Sequence, residues 1–203
     1  WARRCVEETG LNYLMRANKI ETIRGKGRIA SPRIVEVSRD NGDKIRMEVK
    51  NIIVATGSVP DKASLPGVDE RRVLTTDDVF GLKGSPKSLL IVGDHTVGVE
   101  LAFIFNALGA KVTLMAPPPL LLPDYDGEIA TQFQQMMKKE GIDIIPNVKL
   151  DKVSGKGENK IVLVDIKGEE GEVQAERVLL TSRVPNVKDL GLDNAGVALK
   201  EGK

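Results

Sequence analysis

Gly93-Asp94-His95-Thr96-Val97-Gly98-Val99-Glu100 directly follows the apolar run Leu89–Val92 and opens an apolar-striped segment. Glycines at such a junction suit a dinucleotide. The first makes the turn, the second lets the pyrophosphate reach the backbone, and the third allows close helix–strand packing. Gly93 and Gly98 stand at the first and third positions, and His95 stands at the second. The acidic residue that would accept from the ribose 2′-hydroxyl belongs at the end of the next strand. Met115-Ala116 and three prolines stand there instead, without an Asp, Glu or Arg. On these residues alone, cofactor binding and a βαβ unit kept only for packing remain equally open.

The elements that must position this turn are legible around it. LLIVG at 89–93 is a continuous apolar run, as expected of a strand covered on both faces. A helix is expected over about 97–108, with Val97, Leu101, Phe105 and Leu108 on one stripe and Gly109 as its stop. AKVTLM at 110–115 is the next strand, completing a βαβ unit with a right-handed crossover. After APPPLLLPD (116–124) a helix is expected over about 126–140. It carries Ile129, Phe133, Met136 and Met137 as core, Lys138-Lys139 at its C-terminal end and Gly141 beyond. Strands are expected at 142–145, 148–153, 160–166 and 173–181, the middle pair joined by GKGEN at 155–159. Upstream, residues 1–18 read as a weak helix and turn, and 20–49 as an antiparallel meander broken by Asp40-Asn41-Gly42-Asp43. Ile52-Ile53-Val54 reads as a second doubly buried strand, so that 51–57 and 177–182 suggest two similar sheets.

Composition narrows the function classes. The 203 residues carry 30 Lys+Arg against 29 Asp+Glu, a net charge of +1, which gives no electrostatic reason to expect nucleic acid or an anionic membrane. One Trp, two Tyr and four Phe are too few for a base-stacking platform. One Cys and one His exclude a disulfide within this chain, a CxxC couple and a Cys-based or multi-histidine metal site. Cys5 reads as a structural or surface thiol. No apolar run approaches the ~20 residues of a membrane span and no signal peptide is evident, so a cytoplasmic or organelle-matrix location is expected. The first residue is Trp1, and the chain is expected to start inside a longer polypeptide.

A series of segments adds a resemblance: NIIVATGSVP (51–60), LPGV (65–68), VLTTDDVF (73–80), PKSLLIVG (86–93), VGVELAFIFNALGAKVTL (97–114), Arg183-Val184-Pro185-Asn186 and LGLDNAGV (190–197). In this order and spacing, from about Tyr13 to Lys200, the chain resembles the pyridine nucleotide–disulfide oxidoreductases, most closely those of dihydrolipoamide dehydrogenase type. The resemblance implies an α/β fold with three parts: a partial FAD domain with a meander (1–85), a Rossmann-like NAD domain (86–185) and a return segment (186–203). It places Gly27, Ala55, Thr56, Gly57 and Ser58 on the flavin side, and Gly93 to Glu100 along the pyrophosphate and nicotinamide. Ala116 takes the adenosine ribose position, Val153 the adenine side, and Ser182 the position of a family glycine. The implied parent is a homodimeric enzyme passing electrons from a dithiol through a redox disulfide and FAD to NAD+.

The family's first FAD glycine motif and CxxxxC, its ribityl-binding Gly-Asp and its dimer domain with a His–Glu pair have no counterpart in these residues. The missing parts of the parent are therefore expected partners, and neither FAD nor NAD is expected to bind this chain tightly. His95 reads as an obstruction to backbone approach or as a cationic phosphate contact. Thr96 reads as a nicotinamide neighbour or a capping hydroxyl, Glu100 as a nicotinamide-side acid or a dipole partner, and Arg183 as structural. The rival is a non-catalytic dinucleotide fold kept for packing or partner contact.

Overall fold

The computed structural model describes residues 2–61, 72–154, 160–166 and 169–200. Two compact units emerge, Trp1–Gly57 with Pro185–Lys203, and Ser58–Val184.

In the first unit, α1 (Ala2–Ala17) precedes β1 (Lys26–Ser31), β2 (Ile34–Ser38) and β3 (Lys44–Glu48), an antiparallel meander in the order β1-β2-β3. Gly27 pairs with Val37, and Val37 with Ile45. The hairpin signals at 31–33 and 39–43 turn the chain as read, with Asn41 and Asp43 hydrogen-bonded across the second. Ile29 and Val37 bury the inner face. The return segment docks here: Ile29 N–H donates to the Leu190 carbonyl at 2.7 Å, and Asn194 Nδ2 donates to the Ile29 carbonyl at 2.9 Å. Gly191 makes that approach possible, since at φ +72° an added Cβ would lie 2.4 Å from the Ile29 carbonyl oxygen.

The expected buried strand at 51–57 does not form. No described strand pairs with it, Ile53 is 90% exposed and Val54 is exposed. An apolar run becomes a buried strand only where neighbours supply backbone partners and cover both faces. The expectation of two similar sheets falls with it.

The second unit is an α/β sandwich. β5 (Val73–Thr75), β6 (Ser88–Val92), β7 (Lys111–Ala116), β8 (Asp143–Pro146) and β12 (Arg177–Leu180) form an all-parallel sheet in the order β5-β12-β6-β7-β8. β9 (Val148–Ser154), β10 (Lys160–Ile166) and β11 (Glu169–Ala175) form an antiparallel one, and β4 (Ser58–Pro60) pairs with β13 (Arg183–Pro185). Alternate residues of the parallel sheet serve opposite faces. Leu89, Ile91, Val112, Leu114, Ala116 and Leu179 pack with α2 (Thr96–Ala107) and α3 (Gly127–Lys139). Leu90, Met115, Val178 and Leu180 pack with Val148, Val153 and Ala175. This is the expected Rossmann-like α/β arrangement with antiparallel strands. Because β5 pairs with β12, residues 72–85 fold with the second unit, and the observed divisions fall at 57/58 and 184/185 rather than at 85/86.

Three local readings change. α2 buries Gly98, Val99, Leu101, Ala102 and Phe105, while Val97 and Leu108 of the expected stripe are exposed. Gly98 and Ala102, lacking bulk, set the face that approaches the sheet. α3, capped by Asp126 Oδ1 accepting from the Glu128 and Ile129 N–H groups, buries Ala130 and Met137 with Phe133 packed beside them. Its Ile129 and Met136 face outward. The single strand expected at 173–181 is two strands in different sheets, with Glu176 at the corner. Its carboxylate accepts from Lys87 N–H, and its own N–H donates to Ser88 Oγ, tying the corner to the start of β6. GKGEN (155–159) and LPGV (65–68) lie outside the described residues.

Candidate dinucleotide site

β6 ends at Val92, and Gly93 swings the chain into α2. Gly93 has φ +154°, and its N–H donates to the Met115 carbonyl at 3.0 Å. A Cβ there would lie 1.9 Å from Thr181 Oγ1. On Gly98 it would sit 3.3 Å from the same oxygen and 3.4 Å from the Gly93 carbonyl oxygen. Thr181 thus roofs both glycines, held there by Oγ1 and N–H donating to the Val92 carbonyl at 3.0 and 3.1 Å. The first and third glycines therefore do the two jobs the spacing assigns them: a turn no side chain fits, and close packing of helix start on strand end. Thr181 was not singled out from the sequence. Only the placement of β12 beside β6 brings it over the turn.

α2 begins at Thr96, with His95 as an N-cap residue whose side chain makes no cap hydrogen bond. The capping reading of Thr96 is thereby replaced: it is the first helical residue, and no side chain caps this end. An uncapped N-terminus leaves N–H groups and the positive end of the helix dipole available to an anion. Glu100 is the fifth helical residue, past the first turn, so its dipole reading falls; it is exposed.

The imidazole of His95 lies between two carboxylates. Nε2 is 3.4 Å from Asp94 Oδ1 and Nδ1 is 3.5 Å from Asp124 Oδ2, with the ring 64% exposed. Asp124 arrives on the segment 117–126 after β7, which is pinned to the turn. Leu122 N–H donates to the Asp94 carbonyl at 2.6 Å, Leu121 is buried, and Leu121 N–H donates to Gln134 Oε1 at 3.3 Å.

The remaining expected positions are placed as follows. Ala116, the last residue of β7, is fully buried and offers no acceptor. Val153 is fully buried between the two sheets of its unit, where it packs. Ser182 is exposed, its carbonyl accepting from Asp61 N–H at 2.9 Å. Arg183 is held structurally, as read: Nε donates to Ser58 Oγ, one terminal nitrogen to the Ser58 carbonyl, and the other to Thr76 Oγ1 and Asp77 Oδ1. Within the first unit, Gly27 and Thr56 line one cleft of about 330 Å³ with Ile52, Ile53 and Val54. Thr56 Oγ1 donates to the Asn186 carbonyl at 2.7 Å, and Asn186 N–H donates to the Gly57 carbonyl at 2.9 Å. Ala55 is exposed beside them. Among the described residues no group of three or more His, Cys, Asp or Glu could hold a metal ion, and no helix is long and apolar enough to cross a membrane.

Residues 5–203 match the family model for pyridine nucleotide-disulphide oxidoreductases. The chain belongs to this family. Its relatives there include the mitochondrial dihydrolipoyl dehydrogenase of Dictyostelium discoideum, 32% identical over 93% of this chain and 40% of that one. The dihydrolipoyl dehydrogenase of Bacillus subtilis is 33% identical over 95% of this chain and 43% of that one. The mercuric reductase of Staphylococcus aureus is 32% identical over 90% of this chain and 32% of that one. The fold matches that of the HOCl-induced flavoprotein disulfide reductase RclA of Escherichia coli, solved as a Cu(II) complex, with a TM-score of 0.83 at 24% identity over 98% of this chain and 44% of that one. The chain therefore spans less than half the length of these relatives.

Proposed function

We propose that this chain supplies the NAD side and part of the flavin floor of a dihydrolipoamide dehydrogenase-like oxidoreductase. The observation that carries this reading is the Gly93–Gly98 pair beneath Thr181 at an uncapped helix end. The fit to NAD is divided. The turn and helix end suit a pyrophosphate, whereas buried Ala116 gives the adenosine ribose no acceptor. Bound NAD+ accepts a hydride, and in the whole reaction a dithiol loses two electrons and two protons to give a disulfide, NADH and a proton, with FAD between.

In this reading Gly93 admits the phosphates, the first turn of α2 offers its N–H groups, and Glu100 lies along the nicotinamide side. Gly27 with Ala55–Ser58 makes the flavin floor. The parent is a homodimer of the cytoplasm or an organelle matrix. The second reading, a non-catalytic dinucleotide fold kept for packing or partner contact, draws on two observations: His95 at the approach position, and Ala116 at the ribose position.

NADH titration of the 203-residue chain separates the two. The wild-type chain should bind more weakly than about millimolar, because an unpaired ribose hydroxyl costs on the order of 1–3 kcal/mol. His95→Gly should tighten binding roughly tenfold at pH 8 by restoring backbone approach. Ala116→Glu should add to this where its thermal melt shows the buried site still folded. No gain from His95→Gly would favour the non-catalytic module.

A further inference from the structure

We propose that His95 is the proton-dependent counter-charge of this site, so that the anion-binding end of α2 accepts a nucleotide pyrophosphate when the imidazole is protonated and repels it when it is neutral. This rests on the dinucleotide reading above. From the turn, Asp94 faces the ring at 3.4 Å; from the segment after β7, Asp124 faces it at 3.5 Å; Glu100 follows on α2. No Lys or Arg occurs in the turn, in α2 or in residues 116–126, so His95 is the one group of these segments that can become cationic.

A neutral imidazole carries a single N–H, whereas the imidazolium carries one on each nitrogen and can donate towards both carboxylates. With the ring neutral, two aspartates stand uncompensated beside a helix end that would otherwise attract an anion. With the ring protonated, one negative charge is cancelled and N–H donors point into the mouth of the turn. Imidazole changes charge between about pH 5 and 8, so the helix end changes its preference within the physiological range. The substitution that obstructs backbone approach thus also makes affinity depend on pH.

The test is an NMR chemical-shift titration of the 203-residue chain with NAD+, whose pyrophosphate keeps its charge from pH 5.5 to 8. At low salt, wild-type affinity should rise roughly three- to tenfold from pH 8 to pH 5.5, the range of an exposed charge contact plus relief of repulsion. In 0.5 M salt the rise should largely vanish. His95→Gln, which keeps a polar side chain without the titration, should give a flat profile. Asp124→Asn, at a side chain 80% exposed, should bind about twofold to threefold tighter than wild type at pH 8. Binding that is equally strong at both pH values, or a slope that survives in His95→Gln, would overturn this inference while leaving the dinucleotide site in place. No binding at either pH, even to His95→Gly, would overturn both.

Discussion

Replacing Gly93 by Ala asks the turn to accept one methyl group. Two costs follow. The backbone sits at φ +154°, a region L side chains rarely adopt, at about 1–2 kcal/mol. The new Cβ would also lie 1.9 Å from Thr181 Oγ1, so Thr181 must move. Moving it breaks the hydrogen bond to the Val92 carbonyl, worth about 1 kcal/mol, and adds overpacking strain of about 1–2 kcal/mol. The sum is about 3–5 kcal/mol, or roughly 10–15 °C in the melting of the second unit. Thr181→Ala removes the clashing oxygen and leaves Thr181 Cβ, 3.3 Å from the new methyl, as the nearest side-chain atom. Alone it should cost about 1 kcal/mol. In that background Gly93→Ala should cost only its backbone term, a coupling of about 2–3 kcal/mol.

Gly98→Ala is the internal control. Its Cβ contacts of 3.3 and 3.4 Å are tight but not prohibitive, and helix propensity returns up to about 1 kcal/mol, so it should stay within about 1 kcal/mol of wild type. Urea unfolding followed by far-UV circular dichroism measures all four proteins. A Gly93→Ala penalty below about 1 kcal/mol, or the same penalty with and without Thr181, would refute the roofed-turn argument.

Two further outcomes are expected. Arg183→Ala should lower stability by about 1–2 kcal/mol, discounted because the side chain is 30% exposed, and Arg183→Lys should recover little, since an ammonium cannot span Ser58, Thr76 and Asp77 together; thermal melts check both. With one Cys and with its single His at the dinucleotide turn, the purified chain should show no dihydrolipoamide-dependent NADH production, as absorbance at 340 nm would reveal.

What the sequence determined by itself is local. The β6–α2–β7 unit, the glycine turn, the ends of α3 and the meander hairpins follow from apolar period, caps and turn residues a few positions apart, and they lie within a residue or two of where the spacing puts them. The family, too, was legible, because a series of short segments in register is itself sequence information. The tertiary structure alone decided whatever depends on a partner distant in the chain. Ile52–Val54 has the composition of a buried strand, yet stays exposed, because ladders need neighbours and composition cannot supply them. The faces of α2 and α3 turned on which small residues met the sheet, a choice that two nearly equivalent apolar stripes leave undecided. Glu176 divides one apolar period between two sheets only because Lys87 and Ser88 stand ready to bind it. Thr181 over Gly93, and Asp124 beside His95, are pairs 88 and 29 positions apart. Such contacts cost loop-closure entropy that the cooperative core repays as a whole, so no local pattern announces them.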